Sequence, residues 1–457
     1  MTTRVESAEI RAIGNPIHQV RFGIIILAAD LLFSASGLKA DAPDTIAIYD
    51  PNPNHLWNRL NKTLFERTAP DGKHHGLDQL DILYWVQTTN LLSGASHRAA
   101  LAVLDEFNHS HGEKLIQDPL TKALLQRDLW ALFDWSIMLE NQNHTAERKD
   151  LQKRLAVAIR QLELTTNEIA ALPDNYALAV KNQLPELPAG LFRTNGVWFN
   201  VGADNVERIV PTHTMSFGGR SVFTVWFRDP DGHQAGVDYL KRLTAIKPIL
   251  VPSANPNSPN DMMLNPDLPE FPTNSQWVLA RCLCVIDTDG RIQPTRVVES
   301  IQLRTYLGFG EPEVVMITNQ NGYVVPVGIP PQRFNEFQMT RGAQANLISL
   351  AQDQRDFTFV HFMGMGFDAF ENDRGGEAYD VRQWQSRVLG TCRQCHTATG
   401  IYSVNSFTRF LSFSFPPPGQ TAHLIESTPV HESEVTVDWK QQQFNWGLLQ
   451  GLWIQAN

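Results

Sequence analysis

Midway along this chain of 457 residues the spacing between apolar side chains shortens from that of a helix to that of a strand, and nothing else in the sequence restricts the fold as strongly. From His55 to about Leu178 the spacing is helical. Asp118 before Pro119 is an N-cap with proline in the first turn, and Leu120, Leu124, Trp130 and Phe133 follow at intervals that line one face. Leu151, Leu155, Ile159 and Leu162 form a second stripe, and Thr165 with Glu168 makes a capping box for a short helix that Pro173 ends. From Pro185 to Asp353 β-branched and aromatic runs take over. Val222–Phe227 precedes the turn cluster Asp229, Pro230, Asp231 and Gly232, and Trp277–Asp287 and Arg291–Tyr306 flank Asp289 and Gly290 as a hairpin. The Pro- and Asn-rich stretch Pro248–Pro272 reads as a long surface loop. After Pro416–Pro418, Trp439–Trp453 reads as one closing amphipathic helix, and no internal repeat is visible. The expected class is α+β: an N-terminal all-helical domain over 41–184, a β-rich α+β domain over 185–353, and a mixed C-terminal segment over 354–457.

Within that last segment Cys392, Arg393, Gln394, Cys395 and His396 spell C-x-x-C-H. Two thiols three positions apart lie on one side of a single turn and reach two vinyl groups along one edge of a porphyrin, while the next side chain, an imidazole, falls beneath the iron. With 4 Cys and 14 His in the chain, shuffling produces this pattern roughly once in a thousand sequences. The other uses of such a pair are a short-loop disulfide, two legs of a zinc site, or a redox dithiol. A redox dithiol requires a preceding strand, whereas Val381–Leu389 reads as helical.

On these five residues the chain resembles the c-type cytochromes, and the resemblance extends no further. It implies one covalent haem c held by Cys392 and Cys395, with His396 as proximal axial ligand of the iron, and electron transfer as the activity. Small class I cytochromes carry the motif near the start with a methionine ligand after it. Here 391 residues precede Cys392 and no Met follows His396. A distal ligand is sought first at Met363 or Met365, in a Gly-spaced turn that can approach a flat ring, and alternatively at His423 or His431. A vacant distal position would make the protein a peroxidase-like haem enzyme instead. Phe357, Phe359, Phe362, Phe367, Phe370, Phe407, Phe410, Phe413, Phe415 and Phe444 fall in this region and could wall an apolar cofactor.

Cys282 and Cys284 lie two apart in the Trp277 strand, so a regular strand would point both to one face. They read as buried free thiols. The competing reading is a haem-free secreted binding or structural protein, in which they join Cys392 and Cys395 in disulfides or a four-cysteine zinc site.

Arg4, Arg11 and Arg21 precede the apolar run Phe22–Phe33 and a small-residue stretch to Ala40, so residues 1–40 read as a possible secretory leader. The cytochrome resemblance implies export before haem attachment, which places the protein in the periplasm or at the cell surface. A net charge of −10 without Lys/Arg clusters argues against nucleic acid as partner, and no apolar run elsewhere is long enough to span a membrane. The expected partner is a redox protein or a small electron donor or acceptor. His74, His75, His109 and His111 read as ordinary turn or helix-end histidines.

Overall fold

The computed structural model describes residues 48–68, 74–75, 90–138, 144–193, 195–203, 209–246, 248, 250–252, 262–308, 313–318, 324–329, 332–341, 345–350, 400–402 and 424–456. The leader reading falls outside them. Helices α1 (Leu56–Phe65), α2 (Gly94–His109), α3 (Pro119–Met138) and α4 (Thr145–Gln161) come first, with a two-residue ladder of β1 (Arg67–Thr68) and β2 (His74–His75) between α1 and α2. Short helices α5 (Thr166–Ala171) and α6 (Asn175–Lys181) follow. The Asp118 carboxylate accepts from the Thr121 N–H at 2.8 Å, and the Thr165/Glu168 capping box is present in full, as the local sequence predicts.

The middle of the chain alternates β3 (Phe199–Ala203), α7 (Pro211–Ser216), β4 (Ser221–Arg228) and α8 (His233–Ala245). Next come β5 (Leu250–Pro252), β6 (Met262–Leu264), β7 (Gln276–Ile286), β8 (Ile292–Tyr306), β9 (Glu313–Thr318) and β10 (Val324–Ile329). The remaining elements are β11 (Gln332–Met339), β12 (Leu347–Ser349), β13 (Leu424–Ser427), α9 (Pro429–Gln441) and α10 (Phe444–Ala456). Seven strands form one antiparallel sheet in the order β12-β11-β8-β7-β4-β3-β13, and the fold is α+β.

Strand alternation sorts the sheet's side chains into two cores. Trp226, Val278 and Ala280 face α5, α6 and Leu191, whereas Val225, Phe227 and Trp277 face α8 together with Leu268, Phe271 and Tyr306. A third core fills the helical part. It joins Trp57, Phe107, Trp130 and Leu155 to Val222, Cys284 and Ile286 of the sheet and to Trp446, Leu449 and Trp453 of α10. Side chains from 41–184, 185–353 and 354–457 thus share one interior, within a compact unit spanning Thr45–Asn457.

Two sequence expectations are corrected. Pro248–Pro272 is not simply a surface loop: β5 and β6 pair within it, and Leu264, Leu268 and Phe271 are buried, because Phe271 stacks between Trp277 and Tyr306 at 5.3 and 4.9 Å. Trp439–Trp453 is not one helix. α9 ends at Gln441 and α10 begins at Phe444, and the break lets Lys440 and Asn445 both reach Asp134.

Glu163, just after α4, is buried and receives a hydrogen bond from Arg160 Nη1 at 2.5 Å. Burial outweighs that partner and pushes its carboxyl up to about 7. A carboxyl with a raised folded-state pKa binds more protons folded than unfolded between its ordinary value near 4.5 and 7, so stability falls as pH rises across that window. Glu163→Gln is expected to flatten this segment of the stability profile, a change of order 1 to 3 kcal/mol between the two ends. Urea midpoints of both proteins at pH 5 and pH 7.5 check this; equal slopes would refute it.

Candidate functional site

Cys392, Cys395 and His396 lie outside the described residues, as do Met363, Met365, His423, the Val381–Leu389 lead-in and all of the C-terminal phenylalanines except Phe444. The body that carries their segment is described on both sides. The chain leaves the sheet at β12 on one edge and re-enters as β13 on the other, so residues 351–423 connect points separated by six interstrand spacings, about 29 Å.

Between those edges the segment meets the body at Gly400–Tyr402, a single 3₁₀ turn. Ile401 is 5 % exposed and belongs to the aromatic core of Phe199, Phe227, Trp277 and Tyr306. Its N–H donates to Glu270 Oε1 at 2.6 Å, and the same oxygen accepts from Phe271 N–H at 2.9 Å. Gly400 has φ +55°, and a Cβ added there would stand 2.0 Å from Glu270 Oε1. Only glycine permits this approach.

Of the other ligand candidates, His431 is described. It is exposed at the start of α9, its N–H bonded to Thr428 Oγ1 at 3.2 Å. Phe444 is 75 % exposed. His111 lies 3.4 Å from Glu113, and no group of three or more His, Cys, Asp or Glu residues is arranged to hold a metal among the described residues.

The two described cysteines do not share a face. The pairing steps from Arg281–Ser300 to Cys282–Val298, leaving Glu299 as a bulged residue, and slips again before Cys284–Pro294. The alternation inverts there. Ala280, Cys282, Leu283 and Val285 pack into one core, while Cys284 and Ile286 pack into the helical one. Both thiols are free. Burial, with Glu299 adding to it, pushes the Cys282 thiol up to about 12 and Cys284 higher still, so neither supplies a thiolate at neutral pH.

The bulge serves a buried ionic layer on α3. Residues 123–136 of that helix are buried on every side, an environment that calls for apolar residues throughout, yet they include Gln126, Arg127, Asp128 and Asp134. Gln126 Nε2 donates to the Leu162 and Ile286 carbonyls, each at 2.9 Å, and its Oε1 accepts from Ile286 N–H at 2.7 Å. Arg127 Nε stands 2.9 Å from Glu299 Oε1, and Arg281 Nε stands 3.4 Å from Oε2, which also accepts from Ser221 Oγ. Asp128 is gripped by Arg341, with Nη2 to Oδ1 at 2.8 Å, and accepts from the Tyr49 hydroxyl at 3.1 Å. Burial and that carboxylate hold Tyr49 well above the usual phenol range, so it remains a donor.

Asp134, 1 % exposed, collects the ends of the chain. Its Oδ2 accepts from Lys440 Nζ at 2.7 Å and Arg220 Nη1 at 2.5 Å, and its Oδ1 accepts from Asn445 Nδ2 at 2.6 Å. Lys440, 0 % exposed, lies over the Trp130 ring at 5.2 Å, and burial lowers its amine to about 8 against the pull of Asp134. All three carboxylates are occupied by cations and closed to solvent, so the layer fastens α3, the sheet and α9 together. Arg220, after Gly218 and Gly219, reads in sequence only as a bulge or turn before β4. The signal that could have exposed this layer is Asp134 itself, set between Phe133 and Trp135 in an apolar helix.

The chain matches no family model, no curated protein sequence and no solved structure. No helix among the described residues is long and apolar enough to cross a membrane.

Proposed function

We propose that this chain is a monohaem c-type electron carrier, matured in the periplasm or at the cell surface, that exchanges electrons with a redox protein or a small donor or acceptor. The observation that carries the reading is the donor set Cys392, Cys395 and His396 at the attachment spacing. Two thiols and an imidazole at that spacing fit a porphyrin's vinyl edge and its iron, and the haem, when bound, supplies a one-electron couple. The chain's own part is to hold the ring by two thioether bonds, to present the His396 nitrogen, and to tie the segment to the body at Ile401.

The described cysteines add support. A disulfide from Cys282 or Cys284 would consume a motif thiol, but both are free. A zinc site built on all four cysteines needs Cys282 and Cys284 to turn to one metal, whereas they pack into separate cores.

The test is the absorption spectrum of the reduced protein in alkaline pyridine, after expression in a host able to attach haem c and removal of non-covalent pigment under denaturing conditions. One haem per polypeptide is expected. A colourless polypeptide would refute the proposal.

A further inference from the structure

Helix α10 is fastened to the helical core by Trp446, Leu449 and Trp453, and the Trp453 indole N–H donates to the Ala156 carbonyl at 2.8 Å. A helix turns about 100° per residue, so the face opposite Leu449 carries Phe444, Gly447, Gly451 and Ile454. Phe444 is 75 % and Ile454 77 % exposed, the highest values for large apolar side chains among the described residues. The two glycines between them have no internal reason to be glycine. Neither has a positive φ, and an added Cβ at either would meet no described atom within 4 Å. Glycine is the poorest helix former after proline, so both positions weaken α10 without improving any contact among the described residues. What the missing side chains provide is a shallow groove where a second backbone can approach closely. The pattern also reads the same from either end: Gly447 and Gly451 stand two residues to each side of Leu449, and Phe444 and Ile454 five to each side. A twofold axis through the middle of this face turns glycine onto glycine and large side chain onto large side chain, as an isologous contact requires. α10 carries no charged residue, so two copies of a chain of net charge −10 meet along it without like charges in the contact.

We propose that α10 is a homodimerisation surface: a second copy of this chain packs antiparallel against it, with Phe444 over the partner's Ile454 and Gly447 against the partner's Gly451. The inference stands apart from the haem reading, since every residue it uses lies in α10. Because the tryptophans hold α10 in place before it meets a partner, little ordering opposes association. Four large apolar side chains closing over two glycine pairs, along a helix of 13 residues or about 20 Å, make a small contact. It falls below the ~1,200 Å² at which stable interfaces begin, so the dimer is a weak one whose population follows protein concentration.

The experiment is sedimentation of the full-length protein from low to high micromolar concentration, where the weight-average mass is expected to climb from the 51.5 kDa of one chain toward twice that value. Gly447→Leu/Gly451→Leu fills the groove at positions that have space in the single chain. Self-association is expected to weaken about tenfold or more, while the urea midpoint stays level or rises. Phe444→Lys/Ile454→Lys sets like charges opposite one another and should be monomeric. Phe444→Lys/Ile454→Glu sets lysine opposite glutamate and should associate about threefold or more tightly than the first pair. Equal association of those two variants overturns the antiparallel pairing and the proposal with it. So does an unaltered protein that stays monomeric at the highest concentration, or a leucine variant that dimerises as the unaltered protein does. Should the leucine variant lose its fold, the two lysine variants decide alone. Vesicles of neutral phosphatidylcholine test the other use of an uncharged apolar face. Binding to them by the unaltered protein, kept in the leucine variant and accompanied by a constant mass, would assign α10 to a lipid surface and refute the dimer.

Discussion

Replacing Asp134 with alanine is expected to lower the stability of the protein by about 3–5 kcal/mol, the penalty for leaving buried charge without its counter-ion. The carboxylate is 1 % exposed and receives hydrogen bonds from Lys440, Arg220 and Asn445, so its removal strands an amine that is itself fully buried against Trp130. Lys440→Met alone should cost less, because Arg220 and Asn445 still serve Asp134. The double variant should be less damaged than the sum of the singles, since the second change removes the ammonium left behind by the first. Urea unfolding of the four proteins gives the coupling. An Asp134→Ala midpoint within experimental error of the unaltered protein would show that the layer carries no stability.

The cysteine pairs separate just as sharply. Cys392→Ser/Cys395→Ser is expected to abolish covalent haem, while each single substitution leaves one thioether bond and an altered haem spectrum. Cys282→Ser and Cys284→Ser should leave haem content unchanged, at a cost of about 1–3 kcal/mol in stability for placing a hydroxyl in an apolar core. Denaturing gels stained for haem and metal analysis of the same preparations read all of these. Loss of a bound metal on altering Cys282 would instead favour the four-cysteine site and end the electron-carrier reading.

What the sequence revealed and what it hid follow from the range of the interactions involved. The Thr165/Glu168 box and the Asp118 cap are decided within four residues, and both are found as expected. The β7–β8 hairpin follows from its Asp289–Gly290 turn and flanking strands. The bulge at Glu299 is a different matter. It exists because a carboxylate is drawn to Arg127, more than 150 positions earlier, and no local pattern encodes that pull. The expectation that Cys282 and Cys284 share a face fails at a second slip of register, between the two cysteines themselves. The break after Gln441 lets Lys440 and Asn445 meet an aspartate about three hundred residues upstream, a contact equally beyond local sequence. Of the candidate site, the proposed ligands are legible in the sequence because C-x-x-C-H is contiguous. It could not give the contact of Glu270 with Ile401, which joins residues 131 apart.

The last strand and the two last helices complete structures begun at the other end of the polypeptide: β13 pairs with β3, and α10 supplies Trp446 and Trp453 to the helical core. A ribosome that has released everything up to residue 423 has therefore produced a chain whose first helices still lack part of their interior and whose Asp134 has no amine beside it. The unit's interior is therefore completed only when the residues after 423 join it.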